Sequence, residues 1–241
     1  MKLNEIIRSN DDILTMLDSI VSGTPGFWDK FYSDRNRQVP FFVNSPDENL
    51  VSYVNKGQIP TGKALDLGCG PGRNAIFLAK SGFDVDAVDY SEEAIHWAQE
   101  RADALGISVR FICKSVFELD VLEQYDFVYD SGCMHHLLPH RRVQYIAMIR
   151  KGLKPEGLFG ITCFASGHEG EGGPVKEMTD WDVYRERTTN GGLAFSEEKI
   201  RALFSVDFES IELRKMEQVK ESELDEVFGV SFLWTSLWKK R

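Results

Sequence analysis

The chain has 241 residues, 42% of them hydrophobic and 27% charged, with a formal net charge of −10. That is enough chain for one large globular domain, and too acidic to attract a polyanion unless basic residues were segregated on one face. The dense basic runs are only HRR at 140–142 and WKKR at 238–241, so no nucleic-acid partner is expected. No run of about 18 apolar residues occurs, and MKLNEIIRSNDD lacks the apolar centre of a signal peptide. A soluble, cytoplasmic protein with no membrane partner is therefore the expectation.

In chain order, residues 1–57 differ from the rest. LNEIIRSNDDILTMLDSIV has helical spacing, and PGFWDKFYSDRNRQVPFF is aromatic and irregular. Together they predict a helical, aromatic cap over a domain formed by 58–241, the two making one compact unit. From Lys63 short β-rich runs alternate with helical patterns: KALDLG as a strand, NAIFLAK as a helix, FDVDAVDY as a strand. SEEAIHWAQERADALG follows as a helix with Ser91 as N-cap and acids in its first turn. SVRFIC and YDFVYD are two more strands, and PHRRVQYIAMIRKGL places Val143, Ile146, Ile149 and Leu153 on one helical face. The turn KPEG then leads into the strand LFGITCF. Such alternation means parallel strands with helical crossovers, an α/β sheet covered on both faces.

ASGHEGEGGPVKEMTD breaks the pattern and is too long for an ordinary connection, so Ser166 to Pro174 reads as a lid or a linker. Ser196 caps a further helix carrying Ile200, Leu203 and Phe204, and VDFESIELRKME and VSFLWTSLWKK predict a closing antiparallel pair. Cys69, Cys113, Cys133 and Cys163 stand singly, without a C-x-x-C pair, which argues for small buried thiols and no metal. No repeat or low-complexity tract occurs. Oligomeric state is open between monomer and homodimer.

The chemistry-bearing stretch is ALDLGCGPGRN, Ala64 to Asn74. A strand that runs through glycines into a helix brings bare backbone and unpaired N–H groups to a ligand. Arg73 and Asn74 stand where a phosphate-gripping loop needs Lys and Ser or Thr, and Arg73 stands where a dinucleotide fold needs its third glycine. What remains is D-x-G-x-G-x-G, which resembles the first motif of class I S-adenosylmethionine-dependent methyltransferases. The resemblance extends to Asp89 ending the second strand, Ser115-Val116 after the third and Asp130 ending the fourth. It implies a Rossmann-like fold with a seven-stranded, mostly parallel sheet, helices on both faces and an antiparallel last strand. It implies S-adenosyl-L-methionine as cofactor, S-adenosyl-L-homocysteine as product, and cofactor contacts from Asp66, Gly68, Cys69, Gly70, Gly72, Asp89, Tyr90, Ser115, Val116, Asp130 and Ser131. Lys114-Ser115 departs from the acidic residue common in the family after the third strand.

FWDKFYSDRNRQVPFF followed by SPDENL is similar to the leading segment of the thiopurine, thiol and tellurite-resistance methyltransferases, in which Trp28 would match an aromatic residue closing over the cofactor. This points to a small-molecule acceptor. Asp130-Ser-Gly-Cys is not the [DN]-P-P-[YF] of amide and adenine methyltransferases, and the isolated cysteines do not suit a zinc-activated thiol acceptor. Methyl transfer from a sulfonium is an in-line displacement, whose chief requirement is alignment. His135 and His136, after the fourth strand, are the candidate general bases. The competing readings are a nicotinamide-dependent oxidoreductase on a similar fold and a non-catalytic cofactor-binding protein.

Overall fold

In the computed structural model, residues 6–21, 26–37, 39–167, 177–220 and 226–241 are described. KALDL becomes β1 (Lys63–Leu67), followed by α4 (Arg73–Lys80), β2 (Asp84–Asp89), α5 (Glu92–Ala104), β3 (Arg110–Cys113) and β4 (Tyr125–Ser131). Next come α6 (Pro139–Gly152), β5 (Leu153–Phe164), α7 (Asp180–Glu186), α8 (Glu197–Phe204), β6 (Phe208–Lys215) and β7 (Leu233–Lys240). Among the described residues three α-helices precede β1: α1 (Asn10–Ile20), α2 (Phe27–Ser33) and α3 (Glu48–Asn55).

The seven strands lie in the order β3-β2-β1-β4-β5-β7-β6. Strands β1 to β5 pair in parallel, and β7 runs antiparallel to both β5 and β6. This is the expected Rossmann-like, mostly parallel seven-stranded sheet, with the expected closing pair. Successive β1 residues serve opposite faces, as the pleat dictates. Ala64 packs with Phe127, Leu50, Tyr53, Ala75 and Leu78 on the α3 and α4 side, while Leu65 packs with Val128, Tyr145, Ile149 and Phe204 on the α6 and α8 side. Burial on both faces explains why the strands read as continuous apolar runs. Strand order reverses between β1 and β4, and ligands of open α/β sheets sit beyond the strand C-termini at that point.

Local signals place the helices. Ser91 Oγ accepts the Ala94 N–H at the start of α5, and Ser196 Oγ accepts the Lys199 N–H at the start of α8. Four expectations are corrected. In α6 the buried face is Arg142, Tyr145, Ile146 and Ile149, whereas Val143 is 72% exposed. The spacing i, i+3, i+4, i+7 holds, but Arg142 joins the stripe because Asp180 pairs with it at 2.5 Å. KPEG is no free turn: β5 runs through it, with Glu156 at φ +65° and a register irregularity opposite Tyr125 and Phe127. Among the cysteines, Cys69 and Cys163 are buried but Cys113 is exposed. In the N-terminal segment, whose residues 1–5 lie outside the described ones, residues 6–8 are not helical and α1 begins at Asn10, where Ser9 forms a capping box with Asp12. The Ser166 to Pro174 segment lies, from residue 168 on, outside the described residues. Among the described residues no helix is long and apolar enough to cross a membrane.

Candidate active site

The loop between β1 and α4 turns left-handed at Gly68 (φ +64°), Gly70 (φ +51°) and Gly72 (φ +80°). Each glycine also lacks room for a side chain. A Cβ on Gly68 would lie 2.7 Å from Cys133 Cβ, one on Gly72 2.9 Å from Ala98 Cβ, and one on Gly70 3.0 Å from the Tyr32 hydroxyl. The loop is tied to β2 by Asp89, whose Oδ2 accepts the Gly70 N–H at 3.0 Å while Oδ1 accepts the Ser91 N–H at 2.9 Å. Cys69 donates its N–H to Val88 O at 3.0 Å. Asp89 is 7% exposed, and burial raises its pKa despite these N–H donors.

Asp66, in β1 beneath the loop, is fully buried, and among the described residues neither carboxylate oxygen has a partner within hydrogen-bond distance. Burial and then the nearby Asp47 carboxylate push its pKa up to about 8, against the pull of Arg73 and of the Ala75 N–H in the first turn of α4. It does not brace the loop by accepting its amides, as an acid in this position well could. Asp130 is the opposite case. Its oxygens accept the Cys133 N–H (2.6 Å), the Met134 N–H (3.0 Å) and the Tyr145 hydroxyl (2.7 Å), so it is committed to shaping the turn after β4. Burial sets its pKa at about 6 in spite of those donors.

Along the edge toward β3, Tyr90 follows Asp89 and is 53% exposed. Ser115 caps a 3₁₀ turn, its Oγ accepting the Phe117 N–H at 3.3 Å, and Val116 is buried as the first residue of that turn.

On the β4–β5 side the two histidines form a hydrogen-bonded series. The Phe164 N–H donates to His135 Nδ1 at 3.3 Å, which makes His135 Nε2 the protonated nitrogen. That N–H donates to His136 Nε2 at 3.1 Å, and His136 in turn faces the Gly191 backbone as a donor. Burial lowers both pKa values, that of His136 to about 4, so the rings are neutral near pH 7. Neither ring keeps a free lone pair for a substrate proton. His135 stacks on Phe164 with centroids 3.8 Å apart, and Trp28 of α2 meets the His136 ring at 4.8 Å, edge to face. Helix α2 thus lies across the strand ends, with Tyr32 over Gly70 and Trp28 against His136.

Sequence reasoning missed a polar junction at the β1–β4 reversal. Arg73 donates to Asp47 Oδ1 (2.5 Å), Ser45 O (3.0 Å) and Ser131 Oγ (3.0 Å), with its guanidinium 4.5 Å above the Phe228 ring. Asp47 Oδ2 further accepts Tyr129 Oη, Ser131 Oγ and Asn74 Nδ2 at 2.7, 2.6 and 3.0 Å. Ser131 is thereby engaged within the junction. The available signal was Arg73 itself: a cation at a helix N-terminus opposes the dipole and calls for an acid nearby.

This topology, with a glycine loop between two acids at the strand C-termini, is a Rossmann-like fold shared with solved methyltransferases. Residues 64–157 match the family described as a methyltransferase domain. A Geobacillus protein named as a methyltransferase is 34% identical over 47% of this chain and 49% of its own, so the chain spans about half of that curated relative. An Arabidopsis thaliana protein named as a probable thiol methyltransferase is 25% identical over 72% of this chain and 75% of its own. The 1,6-didemethyltoxoflavin N1-methyltransferase of Burkholderia thailandensis, solved with 1,6-didemethyltoxoflavin and S-adenosylhomocysteine bound, has the same fold. Its TM-score is 0.59 at 21% identity, over 98% of this chain and 91% of that one.

Proposed function

We propose that this protein transfers a methyl group from S-adenosylmethionine to a small-molecule acceptor at the C-terminal edge of β1 and β4. The observation that carries the reading is Asp66: a fully buried carboxylate with no partner within hydrogen-bond distance among the described residues, directly under three left-handed glycines and one strand from Asp89. An unpaired buried acid is costly unless a ligand supplies its donor. The cofactor's α-ammonium is such a donor, the backbone of Gly68, Cys69, Gly70 and Gly72 suits its amino-acid tail, and the remaining lone pairs of Asp89 suit ribose hydroxyls. Tyr90, Ser115 and Val116 border the adenine side. S-adenosylmethionine, when bound, supplies an electrophilic methyl group on a sulfonium. Trp28 and Tyr32 place aromatic faces where a cation is favoured, by about 0.5–2 kcal/mol per contact.

The acceptor side is formed by Trp28, His136 and Phe164. With their lone pairs occupied, His135 and His136 shape this wall, and Asp130 holds the turn that carries them. The small-molecule substrates in the names of these relatives, a thiol and 1,6-didemethyltoxoflavin, support a small acceptor. A nicotinamide cofactor fits less well, because Arg73 is buried and ion-paired where close approach of helix and strand requires glycine.

Calorimetry with S-adenosylhomocysteine and NAD tests the reading. Micromolar binding of the first and none of the second is expected, and the reverse would overturn it. Transfer of labelled methyl to thiol, amine, phenol and carboxylate acceptors then separates an enzyme from a non-catalytic binder. With an active acceptor, His136→Gln should leave the pH dependence of kcat unchanged between pH 6 and 8. An acidic limb present in the parent and lost in the variant would restore His136 as general base.

A further inference from the structure

Four segments distant in sequence meet at the β1–β4 reversal: 45–47 before α3, 73–74 at the start of α4, 129–131 at the end of β4, and Phe228 before β7. Arg73 is the group they share. Its Nη1 holds the Ser45 carbonyl, its Nη2 holds Asp47 and Ser131, and its flat face rests on Phe228. The Glu48 N–H donates to Phe228 O at 2.8 Å and the Phe228 N–H to Pro46 O at 2.7 Å, so the N- and C-terminal segments are stitched together above the same guanidinium. Arg73 is also the first residue after Gly72 and opens α4, whose first turn closes the glycine loop.

A buried ion pair contributes little net stability, because desolvation offsets the attraction; what it fixes is geometry. A second ionic cluster, gathered on the buried Asp86 but with Arg110 exposed, makes the contrast. Asp86 accepts from Arg110 and Tyr125 and pairs with Lys63 at 3.3 Å, and all three partners begin their strands, at the end of the sheet away from the loop. Of these two clusters the Arg73 one adjoins the loop, to which Arg101 also reaches through the Pro71 carbonyl at 3.2 Å.

We propose that Arg73 is a positioning residue for the cofactor: its fork clamps the N- and C-terminal segments onto the first turn of α4 and so holds the glycine loop in its binding geometry. The proposal rests on the methyltransferase reading. Three acceptors in different directions and a stacked ring suit a planar guanidinium and not an ammonium, so lysine is not an equivalent here.

The test measures S-adenosylhomocysteine affinity by calorimetry, and the melting temperature without ligand, for the full chain and for Arg73→Lys, Arg73→Gln and Asp86→Asn. Both Arg73 variants are expected to bind at least tenfold more weakly, and Asp86→Asn within twofold of the parent at a comparable or larger loss of melting temperature. Wild-type affinity in Arg73→Lys overturns the proposal, since charge alone would then suffice. Equal weakening in Asp86→Asn overturns it too, as a general stability effect. Should Arg73→Gln not fold, Phe228→Leu replaces it, with a loss of at least threefold expected and none overturning the clamp. If the parent chain binds no S-adenosylhomocysteine, it is the methyltransferase reading that fails; parental binding with unaffected Arg73 variants removes the clamp alone.

Discussion

Asp66 carries a titration signature that follows from its lack of partners. Its pKa, near 8, lies far above that of the same side chain in an unfolded chain, so the folded state binds the extra proton and is stabilised by it at low pH. The contribution is fully present below about pH 4 and is lost as pH rises through 8. Asp130 shifts in the same direction, but its value of about 6 puts its loss at lower pH. The histidines, with lowered values, contribute in the opposite sense and only below their unfolded pKa near 6.5. Between pH 7 and 8.5, therefore, the ligand-free protein should lose on the order of 1 kcal/mol of stability through Asp66, read as a falling melting temperature. Asp66→Asn keeps the shape without the proton and should flatten that slope. An unchanged slope in the variant would mean that Asp66 is already ionised at neutral pH. The same residue shows the limit of sequence reading: its position under a glycine loop was legible, but whether its oxygens met loop amides or nothing depended on backbone directions fixed only in the fold.

At the scale of elements, parallel strands buried on both faces write themselves as short apolar runs, and β1 to β5 were legible for that reason. So were α5 and α8, through Ser91 and Ser196. What failed to show were contacts closed across long stretches of chain. Val143 looked like core because its spacing fits a helical stripe, yet Arg142 takes the inner place through Asp180, a partner 38 residues away. Asp47 met Tyr129 across 82 residues, and no local pattern announces that. The seating of α2 on the glycine loop is a contact of this kind, and it can be tested through Gly70. Gly70→Ala adds a methyl group 3.0 Å from the Tyr32 hydroxyl at φ +51°, whereas Gly106→Ala meets a similar φ of +64° with nothing within 4 Å. Both should cost about 1–2 kcal/mol of stability from the left-handed backbone. Only Gly70→Ala should also weaken S-adenosylhomocysteine binding, by tenfold or more, with part of the loss regained in Gly70→Ala/Tyr32→Phe. Parallel effects of the two alanines on binding would show that α2 does not press on the loop.

For the molecule as a whole, stability is unevenly shared, and the N-terminal helix marks the weak end. None of the residues of α1 is buried, and Ile13 and Met16 are 39% and 43% exposed. Its polar attachment to the body runs through Asp18, which accepts from Arg141 and, at 2.9 Å, from His140 at the start of α6. His140 Nδ1 lies 2.7 Å from the Tyr184 hydroxyl, so this histidine, unremarkable in the sequence, ties α1 to both α6 and α7. Asp18 is 40% exposed, and screening holds such a pair to about 0–1 kcal/mol. The sheet, by contrast, is closed by β7 between β5 and β6 and does not depend on α1. Elements with few buried contacts open locally at little cost while the core stays folded. Asp18→Ala should therefore raise hydrogen exchange in α1 several-fold, leave the exchange of β1, β4 and β5 unchanged, and lower the melting temperature by no more than about 3 °C. Raising the salt concentration should loosen α1 of the parent chain in the same direction, because the attachment is ionic and partly exposed. A global loss of protection in Asp18→Ala would instead place α1 within the cooperative core.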